Sequence, residues 1–418
     1  MIDRLSRRPY RHPRTALAAV VGIGLAGLLS FAGCSSLNVS SAVDSEPLAG
    51  GSPAATDAGG QAGREAAGEQ QGVQSAAAPG AESITVVANG DILIHNSLWF
   101  QAERDGGGRM DFAPQLAGVQ DRVKGADFAI CHMETPLAPA GGPYLSYPVF
   151  STPPQIVDAI KSTGYDACTT ASNHTLDQGF SGVKRTIDAL EKAGIGHAGS
   201  ARTAAEASKP AIHTVKGTKV AHLAYATDFN GYSVPASQPW CCNRLSAAKV
   251  ISDARAARDA GAQIVVVAMH GGDENVAKPN AAQRQIAKDL ADSGAVDLVI
   301  GGHVHVVQPV EKVGNMWVAY GHGNLISGQY ESWRRNREGV TTEFTFTRQS
   351  DGSYRITKAA GYPVFNSANP SRLVDLVSAL PKSGGDARLV EAYRQTKTTL
   401  LSLGAAKDGF VVPDPGGR

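Results

Sequence analysis

The sequence lacks an excess of charge of either sign. Its 418 residues include 39 Lys and Arg against 38 Asp and Glu, which gives a formal net charge of +1. Proteins that bind nucleic acid usually carry a basic face. We therefore expect no nucleic-acid partner, and the 42% hydrophobic content is that of an ordinary globular protein.

The sequence also lacks a C-x-x-C pair, which argues against a zinc site built from cysteines. Cys131 and Cys168 fall near the ends of two predicted strands, where they either pair or remain free buried thiols. Adjacent cysteines such as Cys241 and Cys242 rarely bond each other, because the ring they form is strained. The sequence alone leaves the pairing of these four cysteines open.

The N-terminus has the pattern of a secretion signal. Five arginines precede an apolar run from Ala16 to Ala32. The run is near the lower limit for a membrane-spanning helix, so a retained anchor is the alternative. The ending Ala32-Gly33-Cys34 favours a cleaved signal.

This ending resembles the bacterial lipobox, although Phe31 stands where Leu is usual. The resemblance implies an exported lipoprotein, with Cys34 as its lipidated first residue, anchored on the outer face of the membrane. The segment 35–82 has hardly any large apolar residue, so it cannot offset the entropy cost of ordering. It predicts a flexible tether with a reach of roughly 40 Å.

Four parts follow from this division of the chain. They are a signal peptide at 1–33, a disordered Ala/Gly/Ser tether at 34–82, a folded domain at 83–368 and a helical C-terminal appendage at 369–418. We find no internal repeat.

Short apolar runs alternate with amphipathic segments in the folded domain. Ile84–Ala88, Gln263–Met269 and Val296–Gly302 predict buried strands, and Ala247–Ala260 predicts a helix. Strands that alternate with helices indicate a layered α/β fold. A sandwich of two mixed sheets flanked by helices fits this pattern.

Side chains that commonly bind metals follow five of the predicted strands. They are Asp91, Glu134, Asn173 with His174, His270 with Glu274, and His303 with His305. Because sites in open α/β sheets form at the carboxyl ends of strands, these residues predict one metal site. Carboxylate, imidazole and amide oxygen suit Zn²⁺, Mn²⁺ or Fe, and the number of candidate ligands favours two ions.

Each of these residues alone has a simpler interpretation. Asp91 could be a turn residue, Glu134 a surface carboxylate, Asn173 a helix cap and His270 a core histidine. The His-x-His pair after two glycines is harder to explain in this way, because the glycines permit an unusual backbone and a close approach. The combination of all five strand ends favours a site.

The order of these residues resembles the motif series of a known family. The segments N-G-D, S-N-H-T-L-D-x-G, H-G-G-x-E and G-G-H-V-H-V-V-Q-P, between Ile84 and Gln329, are similar to those of the CapA family of capsule and poly-γ-glutamate synthesis proteins. That family belongs to the calcineurin-like metallophosphoesterase superfamily. The resemblance implies a four-layer α-β-β-α sandwich and two divalent metal ions.

The resemblance also implies a role for each residue. In the superfamily two metals share one carboxylate, a histidine beside them acts as general acid or base, and outer partners orient the ligands. The residues at these positions are Asp91 and His305 at the first metal, Glu134 between the metals, Asn173, His270 and His303 at the second metal, His174 as acid or base, and Asp177 and Glu274 as outer partners.

The sequence departs from the expected patterns at two positions near the predicted ligands. The superfamily usually opens with Asp-x-His, but Ile92 and Leu93 follow Asp91, so the first metal lacks one imidazole ligand. His132 stands where the family has Asn. It is either an additional ligand or an outer partner, and we favour the second.

The resemblance implies a metal-dependent hydrolase that acts in the synthesis, release or anchoring of a cell-envelope polymer. Its partners would be an anionic polymer such as poly-γ-glutamate and subunits of a membrane synthase. Arg334 and Arg335 could hold carboxylates of that polymer, with a solvated charged loop as the alternative. Two other functions stay open: a non-catalytic polymer-binding scaffold, and a phosphatase or nucleotidase.

Overall fold

The computed structural model describes residues 82–329 and 332–416. Its strands are β1 (Ser83–Leu93), β2 (Phe128–Met133), β3 (Ala167–Thr169), β4 (Gly196–Ala198), β5 (Ile212–Val215), β6 (Thr218–Ala226), β7 (Ile264–His270), β8 (Leu298–Gly302), β9 (Val310–Val313), β10 (Met316–Ala319), β11 (Asn324–Ser327), β12 (Glu338–Arg348), β13 (Tyr354–Ala368), β14 (Ser371–Asp375) and β15 (Phe410–Val411). The predicted signal, Cys34 and the tether lie outside the described residues.

The helices fall mainly between the strands of the parallel parts. They are α1 (Asn96–Asp105), α2 (Ala113–Leu116), α3 (Gln120–Gly125), α4 (Ile156–Thr163), α5 (Gly179–Lys192), α6 (Ala204–Ala207), α7 (Ala247–Asp259), α8 (Ala281–Ser293), α9 (Leu376–Ala379) and α10 (Ala387–Leu400), with 3-10 turns at Ala117–Val119, Arg334–Arg337, Leu380–Lys382 and Ala405–Asp408. None of the helices in the described ranges has the length and apolarity needed to cross a bilayer.

The strands form two mixed sheets. The first has the order β14-β13-β12-β1-β2-β3-β4, with β11 beside β1 and β15 beside β13. The second has the order β5-β6-β7-β8-β10-β9. The neighbours β1 to β4 are parallel, and so are β6, β7 and β8. The carboxyl ends of several strands therefore meet at one edge of each sheet.

Alternation along the strands builds the layers. Ile264 and Val266 of β7 join a core shared with β1 and β2 of the other sheet. Val265 and Val267 point the opposite way and pack with α7 and α8. The outer face of the first sheet is covered by α1, α2 and α4. Since successive strand residues face opposite sides, both sheets are apolar on two faces, and the predicted helix–sheet–sheet–helix order is confirmed.

The helix ends follow the expected capping chemistry. Gly164, which ends α4, has φ +110°, a conformation that favours glycine. Asn280 and Gln283 form a capping box at the start of α8. The helix predicted over Ala247–Ala260 is confirmed as α7.

The C-terminal segment differs from the predicted helical appendage. Ser371–Asp375 is a strand that pairs antiparallel with β13, and Phe410–Val411 pairs parallel with the same strand. Leu373 and Phe410 are buried in this arrangement. The prediction of helix over Ser371–Asp375 is wrong, because alternating burial at Leu373 and its neighbours outweighed local helix preference.

Cys131 and Cys168 lie opposite each other on the neighbouring strands β2 and β3 and form a disulfide, with their Cα atoms 4.4 Å apart. Cys241 and Cys242 are buried and free. The pairing that the sequence left open is thus settled by strand register.

Candidate metal centre

The carboxyl edges of the two sheets meet, and the predicted ligands lie there. Asp91 is at an irregularity of β1, Glu134 follows β2, His270 ends β7, and His303 follows β8. The backbone N–H of His303 donates to Asp91 Oδ2 at 3.2 Å. One sheet is therefore tied directly to the other at this edge.

Asp91, Glu134 and His305 form the first group of possible ligands. His305 Nδ1 is 3.3 Å from Asp91 Oδ2, and its Nε2 is 3.9 Å from Glu134 Oε1. All three side chains are buried, and their ligand atoms lie within 4.8 Å of one another. This is the group that the sequence assigned to the first metal.

His270 and Asn173 form a second group, which also approaches Glu134. His270 Nε2 is 2.8 Å from Asn173 Oδ1 and 3.9 Å from Glu134 Oε1. The rings of His270 and His303 have centroids 4.8 Å apart. Both groups approach the same oxygen of Glu134, Oε1, and the bridging role of this carboxylate stays a prediction.

Unpaired polar atoms indicate what the cluster lacks. Both carboxylate oxygens of Glu134 and the Nδ1 atom of His303 are buried without a hydrogen-bond partner among the described residues. A buried, unpaired carboxylate is costly. Burial, with Asp91 close by, raises the pKa of Glu134 well above its usual value. Divalent cations would provide the missing partners, so the residues present fit a metal centre.

The remaining charges are arranged around the same carboxylates. Burial alone would raise the pKa of Asp91, but a hydrogen bond from His305 and the nearby His132 hold it below its usual value. Burial lowers the pKa of His270 well below its usual value. A neutral imidazole is the form that binds a metal.

The turn that carries His303 and His305 depends on close backbone approach. A Cβ on Gly302 would lie 2.6 Å from Asp91 Oδ1, so a larger residue at this position would displace the Asp91 carboxylate. His303 and His305 both have positive φ, +88° and +58°. Such values are uncommon for residues other than glycine and often mark functional sites.

His132 lies behind His270. Its Nε2 atom is 2.8 Å from His270 Nδ1 and 3.6 Å from Asp91 Oδ1, and its Nδ1 atom contacts Thr169 Oγ1. Because Asn173 Oδ1 can only accept, neutral His270 donates from Nε2, and its Nδ1 accepts a hydrogen bond from His132 Nε2. That geometry agrees with the predicted outer role, but Asp91, His132 and His270 are also close enough to hold an ion. The role of His132 stays a prediction.

His174 lies beside the centre with its own carboxylate partner. Its Nδ1 is 2.7 Å from Asp177 Oδ2, and Asp177 also accepts the backbone N–H of Phe150 at 2.7 Å. The ring of Phe150 packs edge-on against His174, with centroids 4.7 Å apart. A hydrogen bond from Nδ1 to Asp177 leaves Nε2 to exchange a proton.

Three predicted residues are not joined to the ligands. Glu274 is exposed, and no hydrogen bond to a predicted ligand is found for it in the described part of the chain. Arg334 pairs with Glu391, and Arg335 Nε is 2.8 Å from a Glu338 carboxylate oxygen. These guanidinium groups are occupied by the chain's own carboxylates, which favours a structural role over polymer binding.

Two residues that the sequence interpretation missed contact the predicted ligands. Asn324 Oδ1 is 3.0 Å from His305 Nδ1. Asn230 Oδ1 accepts a hydrogen bond from the Asn173 amide at 3.0 Å, and its own amide is 3.2 Å from His174 Nδ1. Asn324 sits in the segment G-N-L-I-S, whose resemblance to a family motif could have flagged it. Asn230 lies in a loop that carries no recognisable signal.

One family model matches the chain. It is described as "Bacterial capsule synthesis protein PGA_cap", and it covers residues 85–329, more than half of the sequence. All the predicted ligands lie within that match.

Two curated relatives share the sequence pattern. The PGA biosynthesis protein CapA of Bacillus subtilis is 28% identical over 48% of this chain and 52% of its own length. The capsule biosynthesis protein CapA of Bacillus anthracis is 30% identical over 46% of each chain. The matched part thus spans about half the length of these relatives.

Solved structures with a similar arrangement are more distant. The NAD nucleotidase of Haemophilus influenzae has a TM-score of 0.43 at 13% identity, over 81% of this chain and 65% of that chain. The calcineurin-like phosphoesterase YfkN of Bacillus subtilis has a TM-score of 0.41 at 13% identity, over 77% and 98%. Likenesses at these scores carry no argument on activity.

Proposed function

Because the chain belongs to the bacterial capsule synthesis protein PGA_cap family, we propose that it is a metal-dependent hydrolase of a cell-envelope polymer. The observation that carries the proposal is Glu134, a fully buried carboxylate with two unpaired oxygens beside groups of imidazoles. Such an arrangement is stabilised by two divalent cations, of which Mn²⁺, Zn²⁺ and Fe are the candidates from the ligand types.

The residues divide the work between binding and proton transfer. Asp91 and His305 would hold one ion, Asn173, His270 and His303 the other, and Glu134 both. Bound divalent ions supply a water of lowered pKa and an electrophile for the attacked group. His174, oriented by Asp177, would give a proton to the leaving group from Nε2.

The polymer assignment draws on the relatives. Their names refer to PGA and to capsule biosynthesis. We propose a polymer of the poly-γ-glutamate or capsule type as the substrate, cut during synthesis, release or anchoring, with membrane synthase subunits as partners. The proposed location, a lipid anchor at Cys34 on the outer face of the membrane, places the centre where such a polymer emerges.

The test measures metal content and turnover on the same protein. Full-length protein is loaded with Mn²⁺, desalted and analysed for bound metal, then incubated with poly-γ-glutamate and, separately, with simple phosphoesters. We expect bound metal and cleavage of the polymer, and we expect His305→Ala to lose both. His213→Ala, a histidine of β5 outside the centre, is the control and should keep both.

Other outcomes identify the alternatives. Wild-type protein without bound metal would contradict the metal centre. Bound metal and polymer binding without turnover, unchanged in His174→Ala, would replace the hydrolase by a scaffold. Cleavage of phosphoesters alone would replace it by a phosphatase or nucleotidase.

A further inference from the structure

The turn that carries His303 and His305 is held in an unfavourable backbone conformation. Both residues have positive φ, a backbone conformation that is energetically unfavourable for a residue without glycine's freedom. A turn of this kind persists only when its surroundings fix it. The contacts that fix it are therefore part of what keeps two imidazoles in place.

One set of contacts reaches His305 through Asn324. Asn324 Oδ1 lies 3.0 Å from His305 Nδ1, so the imidazole donates from Nδ1 and presents Nε2 towards Glu134. The amide of Asn324 in turn donates to the backbone oxygen of Asn336 at 3.0 Å. This hydrogen bond orients the amide of Asn324, because a flipped amide would leave the backbone oxygen of Asn336 without its donor.

A second set reaches the residue between the two histidines. The backbone N–H of Asn275 donates to Val304 O at 2.8 Å. The side chain of Asn336 donates to Asn275 Oδ1 at 2.7 Å and to Gln329 Oε1 at 2.8 Å. Asn336 is buried, with 3% of its surface exposed. It is the point where both sets of contacts meet.

The segment that carries Asn336 is anchored by the C-terminal helix α10. Arg388 of α10 donates to Glu338 Oε1 at 2.9 Å and to the backbone oxygen of Arg334 at 2.6 Å. The Arg388 guanidinium also lies over the ring of Phe365, 4.9 Å from its centroid. The Glu338 side chain is fully buried, so removing Arg388 would take a partner from a buried carboxylate, which is costly.

We propose that Asn336, held by Arg388 of α10, is a positioning residue for the His303–His305 turn and so for metal binding. Asn336 and Arg388 both lie outside residues 85–329 that the family model matches. The metal centre would then depend on a part of the chain that the family pattern does not contain. The inference rests on the metal centre proposed above.

The experiment compares Asn336→Ala with Asn366→Ala. Asn366 is a matched control, because it is also buried and its amide also donates to a carbonyl oxygen, that of Ser327, at 2.9 Å. Mn²⁺ affinity is measured by calorimetry, the visible spectrum of the Co²⁺-loaded protein reports ligand geometry, and thermal unfolding of the metal-free protein reports stability. We expect Asn336→Ala to weaken Mn²⁺ binding about tenfold, the low end for loss of an outer partner, and to change the Co²⁺ spectrum. Asn366→Ala should lose stability only.

A second pair of variants tests the contact between α10 and the segment that carries Asn336. These substitutions create no buried cavity. Arg388→Met should weaken Mn²⁺ binding a few-fold, roughly half of the Asn336 effect on a logarithmic scale, whereas Arg394→Met, at an exposed position of the same helix, should have no effect. Wild-type affinity and spectrum in both Asn336→Ala and Arg388→Met would overturn the inference. Wild-type protein that binds no Mn²⁺ would instead overturn the metal centre itself.

Discussion

Two clusters of imidazole and carboxylate groups in this molecule have similar members and different consequences. At the sheet edge, Asp91, Glu134 and His305 are buried, and on the surface Glu191 and Glu206 flank His197; both sets have the spacing of metal ligands. In the surface cluster the guanidinium of Arg202 already occupies the centre and contacts both glutamates.

The difference lies in what neutralises the carboxylates. Arg202 satisfies the surface cluster, and its hydrogen bonds hold the pKa of Glu191 below its usual value. At the sheet edge no Lys or Arg forms an ion pair with Glu134 in the described residues, and burial raises its pKa. Spacing of donor atoms alone therefore does not identify a metal site; buried carboxylate oxygens without a hydrogen-bond partner among the described residues are the more specific signal.

The largest expected effect is the loss of Glu134. Glu134→Ala should weaken Mn²⁺ binding by more than about 100-fold, because loss of an outer partner alone costs 10–100-fold. Calorimetric titration measures it. In wild type, loading at a metal concentration 100 times Kd should raise the free energy of unfolding by about 2.7 kcal/mol. In Glu134→Ala this stabilisation should disappear. Wild-type Mn²⁺ affinity in Glu134→Ala would contradict the comparison, because the buried cluster would then not need its unpaired carboxylate.

The second effect concerns His132. If it is the outer partner of His270, His132→Phe should weaken Mn²⁺ binding by about 10–100-fold without changing the number of ions bound. Elemental analysis and calorimetry measure the two quantities. Loss of one ion per chain would show instead that His132 is a ligand, together with Asp91.

A smaller effect is the gain of a site on the surface. Arg202→Met removes the internal cation from Glu191, His197 and Glu206, so this cluster should bind a divalent ion weakly, with a Kd near the ~1 mM of other exposed sites. Paramagnetic broadening of the His197 signals by Mn²⁺ reports it. Equal broadening in wild type would mean that Arg202 does not exclude cations.

The smallest expected effect is on acid stability. The folded-state pKa of Glu191 is lowered, so its stabilisation is present above the unfolded-state pKa of about 4.3 and is lost as pH falls through the folded value. Wild type should lose up to about 1 kcal/mol more than Arg202→Met over this acidic range, since exposed pairs contribute little. Urea unfolding at several pH values measures it, and parallel curves would contradict it.

Much of the fold and of the site could be predicted from the sequence, for a physical reason. Runs such as Gln263–Met269 are apolar on both faces because the strand lies between two layers. A continuous apolar run of this kind can be recognised as a buried strand from the sequence. The positions of the candidate ligands could be predicted because they follow such strands. Asp91, Glu134, Asn173, His270 and His303 do lie together at one edge.

What the sequence did not reveal depends on register and distant contacts. The pairing of Cys131 with Cys168 follows from the alignment of β2 and β3, which composition does not encode. Ser371–Asp375 became a strand because β13 offered an edge. Asn336 is linked to His305 only through contacts that form in the folded chain, so no local sequence pattern indicates its role.

The backbone amide of His303 donates to both carboxylate oxygens of Asp91, at 3.4 and 3.2 Å, and so joins the two sheets. Cation loading draws on the same carboxylate, so the rate at which this amide exchanges its proton with solvent should report occupancy directly. Hydrogen exchange of this one backbone amide, followed in heavy water, would then measure whether the proposed metal site is occupied.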